Sequence, residues 1–176
     1  MTPTLPMIII ASRSVASRHL MSRSRSRAIA CLVSIGEPGE QPPSGYQRIA
    51  RRLRLEFADA DVETAEAPCA TADDIRRLVG FAATVATAPG KTLIHCQAGI
   101  SRSTAAAYIV LAVILGPGRE AEALEAMLAA APLASPNRWM VKLADEALGR
   151  GGRLLAALSA TPVADPRGGQ TTSSDR

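Results

Sequence analysis

The sequence predicts an α/β fold with a central, mainly parallel sheet of four to five strands and helices on both faces. Short runs rich in β-branched and aliphatic residues, at 7–11, 28–35 and 91–95, have the length of strands, and residues 52–57 alternate charged with apolar side chains as a strand would. Longer segments with helical patterns alternate with them, which is typical of a parallel sheet. One of these segments, residues 101–115, is apolar nearly all round and predicts a helix buried in the core.

Turn and capping residues place the other helices along the chain. The polar, basic stretch 12–27 predicts a short helix within a loop, and residues 46–52 predict another. Thr71 and Asp74 have the spacing of a capping box, which predicts a helix over 71–87.

Helix-forming residues continue to the end of the predicted domain. Residues 119–131 are amphipathic and predict a helix. Ser135 followed by Pro136 resembles an N-cap with proline at the first helical position, for a helix that ends near residue 148. Residues 153–158 predict a final short helix.

The chain has the length of a single domain. We expect one domain over residues 1–159 and a disordered tail over 160–176, where Gly, Pro, Ser and Thr replace apolar residues. No segment has the ~20 apolar residues that cross a bilayer, so no membrane span is expected.

Composition favours an ordinary globular protein. The net charge of +4 is modest and only 3% of residues are aromatic, so we expect no specific binding of nucleic acid. Three widely spaced cysteines, Cys31, Cys69 and Cys96, give no disulfide framework and indicate a reducing, cytoplasmic location. Without a CxxC pair or paired histidines, no metal and no cofactor are expected.

One segment combines a nucleophile, a tight loop and an arginine. The strand at 91–95 leads into Cys96, and Arg102 opens the next helix. The five residues between them are Gln97, Ala98, Gly99, Ile100 and Ser101. A loop of this kind turns successive N–H groups inward, where they can hold phosphate oxygens. Gly99 permits the turn, and the Arg102 guanidinium is a fork that binds two oxygens at once.

The same positive environment favours the thiolate form of Cys96. A helix N-terminus and a nearby cation stabilise a cysteine anion, which can then attack phosphorus and form phosphocysteine. The hydroxyl of Ser103 is placed to donate to the sulfur when it leaves. We expect His95 to orient the loop by hydrogen bonds and not to act as a base.

The segment HCQAGISRS resembles the HCxxxxxR(S/T) signature of the protein tyrosine phosphatase superfamily, and most resembles its dual-specificity branch. The resemblance covers residues 28–148. It implies an aspartate general acid on a loop that precedes the cysteine, for which Asp59 is the first candidate and Asp61 the alternative. Asp73 and Asp74 are better explained as acids in the first turn of a helix.

Two further assignments stay open. Asn137 lies in an SPN segment that resembles one before the last helix of those phosphatases, so it either braces the phosphate loop or starts a helix. Cys31, in a predicted strand, is expected to be a small core residue. Cys69 is a candidate for a protective disulfide with Cys96.

These features predict a phosphatase that hydrolyses phosphotyrosine in proteins through phosphocysteine, with phosphoserine and phosphothreonine left open. The alternatives are a phosphatase of inositol phosphates or other small esters, and a catalytically inactive phosphate-binding module. The loop residues Gln97, Ala98 and Ile100 are uncharged, which favours a substrate with a single phosphate. The basic stretch 13–27 favours the small polyanionic esters if it folds beside the pocket.

Overall fold

The central feature of the computed structural model, which describes residues 4–61 and 67–160, is a parallel β-sheet. Within those residues the sheet has four strands in the order β1-β4-β2-β3, and every neighbouring pair is parallel. The strands are β1 Ile8–Ser12, β2 Ile29–Gly36, β3 Arg51–Glu56 and β4 Lys91–Cys96. The predicted α/β class is therefore confirmed. From residue 161 onward, the predicted tail lies outside the described residues.

Helices connect the strands and follow the last one. They are α1 Arg13–Met21, α2 Arg23–Arg27, α3 Ala72–Thr87, α4 Arg102–Leu115, α5 Glu120–Ala130, α6 Arg138–Ala147 and α7 Arg153–Ala160. In the two described ranges, none of them is long and apolar enough to cross a bilayer.

Two of the predicted short helices differ from the observed ones. The basic stretch 12–27 forms two helices, because the Ser22 side chain accepts from the Arg25 amide and starts α2 where α1 ends. The predicted helix 46–52 is wrong. Only Tyr46–Arg48 forms a 3₁₀ turn there, and β3 begins at Arg51.

The two faces of the sheet are covered by different helices. On one face, Ala16 and Leu20 of α1 belong to a small core with Leu32 and Leu93. Successive residues of a strand point to opposite faces, so neighbours such as Val33 join the larger core, which also contains the buried residues of α3 to α7. The helices on both faces agree with the prediction.

Helix α4 lies in the middle of the larger core. Every residue from Arg102 to Ala112 is buried. Its small side chains, among them Ala105, Ala106 and Ala107, allow the helix to pack closely against its neighbours. Because α4 starts directly after the loop that follows β4, this burial fixes the position of the loop.

The start of α6 differs from the prediction. Ser135 is not its N-cap, and Pro136 is not its first helical residue, because the helix begins at Arg138. Asn137 is the N-cap, and its side-chain oxygen accepts from the Met140 amide at 2.9 Å.

The capping box predicted for α3 is present. Thr71 Oγ1 accepts from the Asp74 amide at 3.2 Å, and Asp74 Oδ2 accepts from the Thr71 amide at 3.0 Å. Two of the backbone donors at this helix end are therefore satisfied.

We predict that Thr71→Ala lowers the free energy of unfolding by about 1 kcal/mol, because it removes the cap of α3. Urea unfolding followed by circular dichroism measures this loss. Thr87→Ala is the control, since Thr87 is an exposed threonine in the last turn of the same helix. Equal losses in the two variants would show that the cap contributes nothing.

Candidate active site

The loop between Cys96 and Arg102 lies at the carboxyl end of the sheet, where ligands bind in parallel α/β folds. Gly99 has φ +80°, and a Cβ there would lie 2.7 Å from the backbone of Ala11 and Ser12. The loop therefore rests against the end of β1 so closely that only glycine fits.

The sulfur of Cys96 lies at the base of this loop. The Gly99 amide donates to Sγ at 3.2 Å, and Ser103 Oγ lies 3.2 Å from Sγ. Cys96 is only 1% exposed. A loop amide and the Ser103 hydroxyl are thus in contact with the sulfur.

Arg102 is buried behind the loop. Its Nη1 donates to the Phe57 carbonyl at 2.7 Å and lies 2.7 Å from Glu37 Oε1. Its Nε is buried and has no hydrogen-bond partner among the described residues, although Asp59 Oδ2 is 3.8 Å away. One donor of the guanidinium is therefore fixed by the protein and another remains for a ligand.

The two candidate acids have different surroundings. Asp59 Oδ1 accepts from Ser101 Oγ at 2.6 Å and from Asn137 Nδ2 at 2.9 Å. Asp61 Oδ1 instead accepts from the Trp139 amide at 3.3 Å, at the start of α6. The structure therefore brings Asp59 to the loop and to Arg102, whereas Asp61 is held at a helix N-terminus.

Asn137 lies between the start of α6 and the loop. Its side chain caps α6 and bonds Asp59, and its amide donates to the Ser101 carbonyl at 3.3 Å. Two residues earlier, the Ser135 amide donates to the Ile100 carbonyl at 3.0 Å. The segment before α6 therefore braces the loop through its backbone as well.

Solved structures with this fold are numerous, although no protein-family model and no curated protein matches the chain. The structure of human DUSP28 superposes with a TM-score of 0.61 at 19% identity, over 89% of this chain and 97% of DUSP28. The chain has the dual-specificity phosphatase fold. Human tyrosine phosphatase-like serine/threonine/tyrosine-interacting protein matches with a TM-score of 0.60 at 22% identity, over 81% of this chain and 91% of that one.

The fold also resembles that of PTPMT1, solved in complex with PI(5)P. That match has a TM-score of 0.54 at 16% identity and covers 86% of this chain and 94% of PTPMT1. The predicted resemblance to the dual-specificity branch therefore extends to the three-dimensional fold.

Within this dual-specificity phosphatase fold, His95 lies in β4 directly before the loop and contacts both the loop and β2. Its Nε2 lies 2.8 Å from Ser34 Oγ, and its Nδ1 lies 3.3 Å from the Cys96 carbonyl. Burial lowers the pKa of His95 to about 4. The ring is thus neutral at pH 7, with Nδ1–H donating to the loop carbonyl and Nε2 accepting from Ser34. The orienting role expected for His95 stays a prediction.

Sequence reasoning missed several residues that hold the site together. Arg54 Nη1 donates to Ser34 Oγ at 2.9 Å and so continues the chain of hydrogen bonds from His95. Thr104 Oγ1 donates to the carbonyls of Ile100 and Ser101.

The third missed residue is Glu37, which pairs with Arg102. Of the three, Glu37 carried a signal, because it is the first acidic residue of the chain and directly follows β2 at the carboxyl end of the sheet.

The other two cysteines, Cys31 and Cys69, are buried. Cys31 is fully buried in the larger core, where burial raises the pKa of its thiol. It is therefore an unreactive core residue, as expected. The disulfide between Cys69 and Cys96 stays a prediction.

We predict that His95 makes the protein less stable in mild acid. The unfolded histidine takes up a proton near pH 6.5 and the folded one only near pH 4, so stability is complete above pH 6.5 and falls as the pH drops through this window. The contribution to the free energy of unfolding is about 2 to 3 kcal/mol between pH 7 and pH 4.5.

Urea unfolding of the wild type and of His95→Gln at both pH values measures this effect. The variant should be less stable at pH 7 but should lose less stability on acidification. His19→Gln is the control for removing a histidine from a more exposed position. An equal fall in the wild type and His95→Gln would contradict the prediction.

Proposed function

We propose that this protein is a phosphatase that hydrolyses phosphate monoesters through a phosphocysteine at Cys96. One observation carries the proposal. The Nε of the buried Arg102 has no hydrogen-bond partner among the described residues, and Arg102 directly follows a loop in which the Gly99 amide donates to the buried sulfur of Cys96. Such convergent donors suit a tetrahedral dianion.

The N-terminus of α4 supports phosphate binding at the same place. Ser101 occupies the N-cap position, but its side chain makes no capping hydrogen bond and donates to Asp59 instead. The first amides of α4 are therefore not capped by Ser101 and are free to bind an anion, whose charge the helix dipole favours.

In the first step, the Cys96 thiolate attacks phosphorus and the bond from phosphorus to the leaving oxygen breaks. Asp59 donates its proton to that oxygen. Its Oδ1 accepts from Ser101 and Asn137, which leaves Oδ2 for the proton transfer. Arg102 and the loop amides stabilise the charge on the transferred phosphoryl group.

In the second step, water attacks the phosphocysteine and the bond between sulfur and phosphorus breaks. Asp59, now a carboxylate, takes a proton from the water. Ser103 donates a hydrogen bond to the departing sulfur from 3.2 Å. Phosphate leaves, and the thiolate is restored.

The surroundings of the loop favour a substrate with one phosphate on an aromatic ring, such as phosphotyrosine in a protein. Glu37 and Asp61 place negative charge near the rim, which disfavours polyphosphorylated ligands. Ile100 is 42% exposed and offers an apolar contact to a phenyl ring. An open depression of about 310 Å³ beside Asp59 and Ser101 provides room for the leaving group.

The basic stretch does not alter this preference. Arg13 lies beside the loop, where its amide donates to the Gln97 carbonyl, but its side chain pairs with Glu40. The remaining arginines of the stretch run away from the loop along α1 and α2 to the amino end of β2. Hydrolysis of inositol phosphates or other non-protein phosphate esters is therefore the second candidate, and the PTPMT1 structure contains one such inositol compound, PI(5)P.

We predict that the protein hydrolyses p-nitrophenyl phosphate in the presence of a metal chelator, and that Cys96→Ser abolishes turnover. A serine hydroxyl is a much weaker nucleophile than a thiolate, so the first step fails. Release of p-nitrophenol measures the rate. Cys31→Ala is the control, because this buried thiol lies in the sheet core away from the loop.

Equal rates in the wild type and Cys96→Ser would refute the mechanism. An inactive but folded wild type that still binds phosphate would identify the catalytically inactive phosphate-binding module. Circular dichroism of all variants separates loss of chemistry from loss of fold.

We predict that Asp59→Asn lowers kcat for an alkyl phosphate roughly 10²–10⁴-fold, the usual effect of losing a general acid. The loss should be smaller for p-nitrophenyl phosphate, whose leaving group needs less protonation. Asp61→Asn is the matched control and should retain most activity, since Asp61 contacts the α6 N-terminus. A large loss in Asp61→Asn alone would show that the assignment is wrong.

A further inference from the structure

A cluster of five cationic side chains and one histidine covers the end of the sheet opposite to the loop. Helices α1 and α2 return the chain from the carboxyl end of β1 to the amino end of β2, and the Lys91 amide at the start of β4 bonds the Ala28 carbonyl there. The cluster, which we call the amino-end face, consists of Arg18, His19, Arg23, Arg25, Arg27 and Lys91. Because β4 has six residues, this face lies about 16 Å from Cys96.

The charge of the amino-end face is not balanced by acids. Residues 1–36 contain five arginines and no aspartate or glutamate. Within residues 4–61 and 67–160, none of these six side chains forms an ion pair, whereas Arg13, at the other end of α1, pairs with Glu40. Arg18, Arg23, Arg25 and Arg27 are exposed.

Like charges are close enough on this face to repel one another. Burial, and after it the charges of Arg25, Arg18 and Lys91, lowers the pKa of His19. An open cavity of about 380 Å³ lies between His19, Arg25 and Lys91. A face of this kind is stabilised when an anionic partner covers it.

Exposed methionines lie at the same end of the molecule. The large apolar side chains that are exposed in the described residues are Met7, Met21, Ile100 and Leu133. Met7 directly precedes β1, and its carbonyl accepts from the Thr92 amide beside Lys91. Met21 ends α1, next to the arginines of α2. Met7 is 61% exposed and Met21 is 52% exposed.

The combination of cationic and apolar side chains favours an anionic bilayer over a nucleic acid as the partner of this face. On an anionic bilayer, arginines bind lipid headgroups while apolar side chains enter the boundary with the acyl chains. A nucleic acid offers phosphates to the arginines but gives the methionines little to contact. None of the six residues that define the amino-end face is Phe, Tyr or Trp, so none of them offers a large aromatic ring for a base to stack on.

We propose that the amino-end face, with Met7 and Met21, docks this protein on an anionic membrane surface. The Cys96 loop, at the opposite end of the sheet, then faces away from the bilayer. A consequence that rests on the proposed function is that the docked enzyme acts on soluble or protein-borne phosphates and not on lipids of the same bilayer.

Flotation with phosphatidylcholine vesicles, with and without phosphatidylglycerol, tests the docking. We expect binding only to the anionic vesicles, with a loss at high salt. Each Lys or Arg contributes about fivefold to such binding, so the triple variant R23Q/R25Q/R27Q should bind roughly 100-fold more weakly. The matched control is R76Q/R77Q/R119Q, which removes the same charge from arginines paired elsewhere on the surface.

Equal losses in the two triple variants, or no binding of the wild type, would overturn the proposal. The double variant M7S/M21S keeps the charge and should also bind more weakly, and unchanged binding would overturn the role of the methionines. Tighter binding to an oligonucleotide than to vesicles of equal charge would identify a nucleic acid as the partner instead.

The experiments distinguish a failure of the docking proposal from a failure of the proposed phosphatase function. An inactive protein that still floats with anionic vesicles refutes the phosphatase and leaves the docking intact. If the enzyme is active, R23Q/R25Q/R27Q should hydrolyse p-nitrophenyl phosphate at the wild-type rate, which also shows that it is folded. Hydrolysis of a phosphatidylinositol phosphate in the same vesicle would overturn the proposed orientation.

Discussion

The five residues between Cys96 and Arg102 must turn the chain from β4 into α4 while the Cys96 sulfur and the Ser103 hydroxyl stay in contact. This turn requires a positive φ at Gly99 and a backbone approach to β1 that leaves no space for a Cβ. Hydrogen bonds from the start of α1, from α4 and from the segment before α6 then hold the loop carbonyls. Such a loop is organised before any ligand binds, which is what an anion cradle needs.

The buried charge of Arg102 beside this loop requires polar or acidic partners among the surrounding residues. Arg102 is 3% exposed and would be costly to bury without partners, and Glu37, Asp59 and the Phe57 carbonyl surround it. His95 lies in the same region but is neutral, because burial disfavours its charged form. The positive charge at the loop therefore comes from Arg102 and from the N-terminus of α4, and both can attract a bound anion.

Local patterns predicted the parts of this structure that depend on local forces. The four strands, the capping box at Thr71 and the position of the loop follow from residues close in sequence. The start of α6 was mispredicted because Asn137, unlike Ser135, also bonds Asp59, a contact across 78 residues. Long-range pairs such as Arg54 with Ser34 and Glu37 with Arg102 depend on strand order, which periodicity does not reveal.

In this parallel sheet, the two ends of the strands carry different kinds of residue. All carboxyl strand ends meet at one edge, so the loop residues, Glu37 and the segment with Asp59 converge there although they are distant in sequence. The amino ends meet at the other edge, where unpaired arginines and two exposed methionines collect without disturbing the loop. Arg13 marks the division, because it begins α1 beside the loop and has its acidic partner there, while the arginines that follow have none among the described residues. The difference in pairing therefore follows the position along the sheet axis and not the sequence composition, which is equally basic throughout 13–27.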